Sequence, residues 1–353
     1  MCYGGRLFEA LPEVPSEIWK LCKDSFHEHP FLRLMFTGSS LTAISSKFCI
    51  VKENRSTGWF PLVHKSTVAT MFHRRSNSHQ DHENSEVYAE SKVKELKGAM
   101  GPLSGRSLKY CTDACFKRYL EARNWNVDKS KKMLEDTLNW RSTYKPEEIR
   151  WHEVAVEGET GKLYRANFHD RQGRTVLILR PGMQNTKSME NQMKHLVYLL
   201  ENAMLNLPPG QEQMAWLIDF TGWSLTNSVP VKLARDTINT LQNHYPERLA
   251  IAFLYNPPRI FEAFWKIVKY FLDTKTFEKV KFVYPKNKDS VELMKSYFDD
   301  ENLPKELGGK STMKYNHEEF SRLMVQDDLK CAAFWGPESE VAPDPDYNEA
   351  TSI

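Results

Sequence analysis

The sequence predicts an α/β protein in which a small N-terminal helical unit is followed by a domain built on a mostly parallel sheet. Apolar side chains recur at helical spacing over residues 88–150, with capping residues in front of the helices. After this unit, strand-like runs alternate with amphipathic stretches, as in parallel sheets whose strands are joined by crossover helices. The length of 353 residues allows two domains, or one large domain with appended segments, and a hydrophobic content of 41% is enough to bury a sizeable core.

Two helices define the N-terminal unit, which we place at residues 87–150. Thr112 and Asp113 can cap a helix over 114–123, because their side-chain oxygens accept a hydrogen bond from a free N–H of the first turn. Asp128 is predicted to cap a second helix in the same way, and Pro146 interrupts that helix.

The larger domain is predicted at 151–315 and begins with a β-hairpin. Its strands, 163–168 and 175–179, flank a turn at 170–173. Further strands are predicted at 214–220, 249–255 and 280–284, and helices near 186–205, 229–243, 258–272 and 290–299. This alternation indicates a mostly parallel sheet with crossover helices.

The two ends of the chain lack the pattern of a folded domain. Residues 1–86 stay unassigned because their apolar patches show no sustained period, and the polar stretch 71–82 is predicted to be a mobile tether. Residues 316–353 are predicted to form an amphipathic helix and then a disordered acidic tail.

The composition argues against several classes of protein. Lys and Arg total 48 against 46 for Asp and Glu, and a net charge of +2 gives no field suited to nucleic acid. The six cysteines include no CxxC pair, and no run approaches the roughly 18 to 20 apolar residues that span a bilayer. Since the first residues show no signal-peptide pattern, we expect a cytoplasmic protein with reduced thiols.

The motifs of common catalytic sites are missing from the sequence. No GxGxxG opens a helix, and neither a GxSxG nor an HExxH motif is present. The run from Gly308 to Thr312 resembles the end of a phosphate-binding loop, but Pro304 occupies the position of its first glycine. The sequence therefore predicts a binding protein, not an enzyme, without a metal or cofactor.

The helix predicted at 258–272 is unusually apolar. One stripe carries Phe261, Phe264, Trp265, Val268 and Leu272, and its remaining face still holds Ile260, Ile267 and Phe271. A helix that is apolar on more than one side is either a buried core helix or the cover of an apolar ligand. Composition alone leaves both interpretations open.

A series of short motifs carries a resemblance to a known family. They are Ala122-Arg123, Trp140-Arg141, Asp219-Phe220-Thr221-Gly222, Tyr245-Pro246-Glu247-Arg248-Leu249, Tyr255-Asn256-Pro257-Pro258, Phe271-Leu272-Asp273 and Leu303-Pro304-Lys305-Glu306-Leu307-Gly308-Gly309. Their order and spacing over about 88–312 resemble the Sec14-like phosphatidylinositol/phosphatidylcholine transfer proteins of the CRAL-TRIO family.

The resemblance implies a CRAL-TRIO lipid-binding domain with a sheet-floored pocket, closed by the helix at 258–272 as a mobile gate. It implies a carrier whose ligand is a bound phospholipid, phosphatidylinositol or phosphatidylcholine, exchanged during transient association with a membrane surface. Phosphoinositide kinases, to which the lipid is presented, are the further partners implied, and nucleic acid is not.

The resemblance also assigns residues to the two headgroups. In phosphatidylinositol-binding members, the four matching positions hold the inositol phosphate: Arg123, Glu247, Thr276 and Lys279. The residue types suit this role, because Arg and Lys donate to phosphate oxygens while Glu and Thr bond sugar hydroxyls. Ser224 and Thr226 match the positions that hold phosphatidylcholine. Asn124 departs from the family, which often has a second basic residue there, and this departure predicts weaker phosphate binding.

Three alternatives remain beside phospholipid transfer. The pocket of other family branches holds a tocopherol, a retinoid or a sterol, although Glu247, Thr276 and Lys279 argue against that ligand here. A second alternative is an adaptor that reports lipid occupancy to a trafficking or signalling partner through residues 1–86 or the acidic tail. The third, an enzyme acting on bound lipid, lacks a recognisable nucleophile and base.

Overall fold

The computed structural model describes residues 73–224, 230–259, 261, 265, 272 and 274–336, with side chains from residue 85 onward except that of Val231. The chain divides into two compact units, Met1–Ser78 and His79–Ile353. All side chains discussed below belong to the second unit.

Helices surround the sheet of this unit. The described helices are α1 His73–Met100, α2 Gly105–Tyr110, α3 Asp113–Ala122, α4 Val127–Tyr144, α5 Trp151–Gly158, α6 Met189–Leu205, α7 Val231–His244, α8 Thr274–Glu278, α9 Lys288–Tyr297 and α10 His317–Trp335. Short 3-10 turns occupy Pro146–Glu148, Pro181–Met183 and Lys305–Leu307. Arg259, Phe261 and Trp265 also have helical backbone. In the part of the chain that the structure describes, no helix has the length and apolar character needed to cross a bilayer.

Five strands form one sheet in sequence order: β1 Leu163–His169, β2 Thr175–Leu179, β3 Met214–Asp219, β4 Leu249–Tyr255 and β5 Val280–Val283. β1 and β2 pair antiparallel, and the remaining neighbours pair parallel. The predicted α/β class and its opening hairpin are confirmed. Because successive parallel strands advance in one direction, right-handed crossovers place the connecting helices on a single face of the sheet.

The two faces of the sheet pack against different partners. On the face away from the crossover helices, Phe253 of β4 is fully buried. Its ring centroid lies 5.1 Å from that of Tyr297 and 5.4 Å from that of Phe298, at the end of α9. On the crossover face, Leu254 of β4 packs with Phe220 and Phe261. We call this the pocket face, because the segment predicted to cover a ligand lies against it.

The helices α3 and α4 are capped by side chains that accept a hydrogen bond from a free backbone N–H of the first turn. The Thr112 side chain accepts from Cys115 N at 3.2 Å, so Thr112 caps α3, and Asp113 is the first residue of that helix. The cap of α4 is Asn126, whose Oδ1 accepts from Lys129 N at 2.9 Å, so the assignment of that role to Asp128 was wrong. Asp128 instead lies in the first turn, where a carboxylate is favoured by the helix dipole.

α1 begins at His73 and therefore includes residues 73–82 of the stretch that the sequence predicts as a mobile tether, and part of the unassigned extension 1–86. The difference has a local cause. Residues 73–97 contain neither proline nor glycine, and Leu96 near the end of α1 is completely buried with Phe116 and Tyr119. Once packing has fixed that turn, each further residue adds a backbone hydrogen bond at little extra cost.

A buried ion cluster joins the N-terminal unit to the sheet domain. Arg141 of α4 donates from Nη1 to Glu201 Oε1 of α6 at 2.8 Å, and from Nη2 to Glu147 Oε2 at 3.0 Å. The Tyr245 hydroxyl donates to Glu201 Oε1 at 2.8 Å. Burial alone lowers the pKa of Arg141, but Glu201 and Glu147 outweigh it and hold that pKa well above its usual range. Arg141 is therefore a charged centre shared by both parts.

Candidate functional site

An ion pair lies where β4 and β5 begin. Lys279 Nζ donates to Glu247 Oε2 at 2.9 Å, with 22% of the lysine side chain and 17% of the glutamate side chain exposed. Glu247 lies between α7 and β4, and Lys279 directly precedes β5. The structure thus brings together two of the four residues assigned to the inositol phosphate.

Glu247 has an unusual backbone conformation. Its φ of +55° lies in the left-handed region, which is uncommon for a residue other than glycine, asparagine or aspartate. Its carbonyl accepts from Gln213 Nε2 at 3.2 Å, and the adjacent Arg248 donates from Nη1 to both the carbonyl and the carboxylate of Glu212 at 2.8 Å. Such strain persists only where neighbouring contacts hold it, and it is concentrated at functional sites.

Thr276 lies in the same short segment as Lys279. The Lys279 N–H donates to the Thr276 carbonyl at 3.2 Å, so both residues belong to one turn at the end of α8. Neighbouring Lys275 donates from Nζ to the Glu121 carbonyl at 2.9 Å, which connects this turn to the end of α3. Three of the four predicted inositol-phosphate residues are therefore close in the fold.

Glu121 is a further acidic group at this place, and the sequence did not single it out. Burial raises the pKa of Glu121, Lys117 opposes that shift, and the negative charge of Glu247 adds to it. The hydrogen bond from Lys275 to the Glu121 carbonyl places the end of α3 beside the turn that carries Thr276 and Lys279. A carboxylate two residues before Arg123 was the available signal, but sequence spacing alone did not relate it to Glu247.

Arg123 lines a neighbouring cleft with a volume of about 350 Å³. The cleft is lined by Arg123, Lys129, Lys132, Met133, Asp136, Asn243 and His244. The Arg123 guanidinium donates from Nη1 to the Ala122 carbonyl at 3.2 Å, and among the described residues it makes no hydrogen bond or ion pair with Glu247 or Lys279. Three cations face one carboxylate here, so this cleft favours an anion.

The turn at Asn124 has a backbone reason for its residue type. Asn124 and Trp125 both have positive φ, +50° and +61°. Asparagine tolerates the left-handed region better than lysine or arginine, since its short polar side chain can bond locally. The departure from the basic residue of the family therefore fits the geometry of this turn.

Aromatic side chains of the segment 258–272 cover the pocket face. The Phe261 side chain is 8% exposed, and its ring centroid lies 4.2 Å from that of Phe220 and 5.8 Å from that of Trp223. Trp265 lies 5.7 Å from Phe282 of β5 and 6.2 Å from Phe277 of α8, measured between ring centroids. The apolar stripe thus faces the sheet at its described positions.

Of the remaining predicted site residues, some are described by the structure and others are not. Leu272 is partly exposed, whereas Phe264 and Val268 lie outside the described residues. Ser224 is exposed in the loop after β3, beside Trp223, and Thr226 lies outside the described residues. Within the described part of the chain, no group of three or more His, Cys, Asp or Glu side chains is arranged to hold a metal ion.

Comparison with known proteins identifies the family. The CRAL/TRIO domain matches residues 158–309, and the CRAL/TRIO N-terminal domain matches residues 92–136. The chain belongs to the CRAL-TRIO family, and the family resemblance drawn from the sequence motifs is confirmed.

Two relatives and one solved structure illustrate the match. The chain is 34% identical over 247 residues to phosphatidylinositol transfer protein PDR17 of Saccharomyces cerevisiae, covering 66% of this chain and 68% of that protein. It is 35% identical to the CRAL-TRIO domain-containing protein C23B6.04c of Schizosaccharomyces pombe, covering 62% of this chain but only 21% of that protein. The crystal structure of Sfh5 superposes with a TM-score of 0.51 at 18% identity, over 70% of this chain and 96% of that chain, and shares the fold.

Proposed function

We propose that this protein carries phosphatidylinositol and phosphatidylcholine in an apolar cavity above the pocket face and exchanges them at membrane surfaces. One observation supports the proposal most strongly. The Glu247–Lys279 pair, partly exposed and strained at Glu247, borders the sheet face that Phe261 and Trp265 cover. A polar headgroup site beside a covered apolar surface suits an amphipathic ligand.

The names of two relatives point to the same class of ligand. PDR17 and the protein CSR1 of Eremothecium gossypii, 28% identical over 246 residues, are both named phosphatidylinositol transfer proteins. The chain spans 54% of the length of CSR1.

The headgroup chemistry follows from the residues at the site. The Lys279 ammonium would exchange its contact with Glu247 for a phosphodiester oxygen, and the released Glu247 carboxylate would accept from inositol hydroxyls. Thr276 supplies a further hydroxyl, and Arg123 approaches from its cleft. Ser224 and Thr226, beyond β3, are proposed to hold the choline headgroup.

A closed gate would avoid the free-energy cost of exposing the acyl chains of the lipid to water. Exposing two acyl chains, on the order of thirty methylenes, costs roughly 25 kcal/mol at about 0.8 kcal/mol each. The segment 258–272 is proposed to close the cavity during transit and to open at the bilayer. In this proposal the protein is a carrier and not an enzyme. Phosphoinositide kinases are the proposed recipients of the phosphatidylinositol that it presents.

Lys279→Ala is expected to weaken phosphatidylinositol transfer about ten- to hundredfold while largely sparing phosphatidylcholine. One lost charge-assisted hydrogen bond contributes about 1.5 to 3 kcal/mol, which corresponds to that range of affinity. The measurement is transfer of each labelled lipid between vesicles, without ATP or added metal.

Lys281→Ala is the matched control for this experiment. Lys281 is exposed on β5 and pairs in register with Phe253, so it lies on the sheet face opposite the pocket face. Its replacement should leave both activities unchanged. Equal loss of both lipids in a stable Lys279→Ala protein, or no loss of either, would contradict the headgroup assignment.

A further inference from the structure

Trp216 of β3 is a buried tryptophan on the pocket face. It lies in register with Leu177 of β2 and with Ala252 of β4. It shares a face with Ile218 two residues on, because strand side chains alternate. Ile218 packs against the cluster that contains Phe261. The Trp216 indole therefore lies on the face that the gate segment covers.

The indole N–H of Trp216 has no acceptor. Trp216 is 9% exposed, its Nε1 atom is inaccessible to solvent, and none of the described residues accepts a hydrogen bond from it. Buried tryptophan usually finds a partner for this donor, and a buried donor without one is destabilising. Its register neighbours on β2 and β4, Leu177 and Ala252, are apolar and offer no side-chain acceptor.

The position of Trp216 relative to the Glu247–Lys279 pair limits which part of a bound lipid can accept a hydrogen bond from the indole N–H. Trp216, Ala252 and Val280 form one row across β3, β4 and β5. Val280 directly follows Lys279, whose carbonyl accepts from Ala252 N at 2.9 Å. Two strand spacings of about 4.8 Å place the Trp216 backbone roughly 10 Å from that end of the row. This separation suits a group a few bonds from a phosphate held at Lys279.

We propose that the Trp216 indole N–H donates a hydrogen bond to an ester carbonyl oxygen of the bound phospholipid. The proposal rests on the phospholipid function above and adds the part of the ligand that joins headgroup to acyl chains. An ester carbonyl is neutral, which suits the apolar neighbours of Trp216 better than a second charged phosphate oxygen. The bond makes the protein selective for diacyl over dialkyl ether phospholipids.

The test compares diester with diether phosphatidylcholine, identical in headgroup and chain length, presented in vesicles to the full-length protein. The wild-type protein is expected to bind the diester about fivefold more tightly, since one neutral hydrogen bond distinguishes the two lipids. Trp216→Phe removes the N–H and keeps an aromatic ring, so it should bind both lipids equally. Trp223→Phe, at a tryptophan that contacts Phe261, is the control and should keep the preference.

A second readout does not depend on the stability of a variant. The indole ¹⁵N–¹H resonance of wild-type Trp216 should shift downfield with the diester lipid and not with the diether lipid. Equal binding of the two lipids by the wild-type protein, or a preference retained in Trp216→Phe, would overturn the assignment alone. Absence of any binding of the diester lipid to the wild-type protein would overturn the proposed function as well.

Discussion

Arg141→Ala is expected to lower the free energy of unfolding by about 3–5 kcal/mol, because removing one partner of a buried ion cluster leaves uncompensated charge in the interior. Glu147 and Glu201 have 5% and 9% of their side chains exposed, so water cannot replace the lost guanidinium. The same substitution removes a cation–π contact in which the guanidinium lies 4.5 Å from the Tyr110 ring centroid. The effect should appear as a shift of the denaturant midpoint.

Arg322→Ala is the matched control for this prediction. Arg322 also pairs with a glutamate, Glu318 at 3.4 Å, but the two side chains are 67% and 84% exposed. Exposed pairs contribute little, so this variant should stay within about 0.5 kcal/mol of the wild type. Similar small losses in both variants would mean that the Arg141 cluster does not hold the N-terminal unit on the sheet domain.

Trp265→Asp is expected to slow lipid transfer by about tenfold or more. A carboxylate on the gate segment must lose its hydration whenever the segment covers the pocket face or inserts among lipid chains, and each 1.4 kcal/mol of such cost is a factor of ten. Trp265 packs with Phe277 and Phe282, so the charge would lie within an aromatic surface. Transfer of labelled phosphatidylinositol between vesicles measures the effect.

Leu329→Asp on α10 introduces the same charge at an apolar residue that is 71% exposed and lies far along the chain from the gate segment. This control should transfer lipid at the wild-type rate. A folded Trp265→Asp protein with unchanged transfer would show that the segment 258–272 is core packing and not a gate.

Elements with strong periodicity could be predicted from the sequence. The hairpin and the three following strands were recognised because each strand is a short apolar run bounded by turn residues. The cap of α4 was misassigned because Asn126 and Asp128 are both good caps, and only the observed contact with Lys129 distinguishes them. The start of α1 was missed because polar residues carry no periodic signal, although the buried Leu96 anchors that helix.

The candidate site was predictable residue by residue but not as an arrangement. Family motifs pointed to Glu247 and Lys279, yet their 2.9 Å contact depends on how two loops meet at one end of the sheet. Glu121 was missed because its relation to Glu247 is tertiary. Trp216 was missed because its significance depends on strand register, which places its side chain on the pocket face, and on the burial of its Nε1 atom without an acceptor among the described residues.

Mass spectrometry of the lipid that co-purifies with the full-length protein tests the central claim most directly. The assignment of Glu247, Thr276 and Lys279 to an inositol phosphate predicts bound phosphatidylinositol, together with phosphatidylcholine, at about one lipid per protein chain. Extraction from Trp265→Asp provides a comparison in which retention of lipid should be reduced. A tocopherol, retinoid or sterol in place of phospholipid, or a cavity that retains no lipid, would contradict the account.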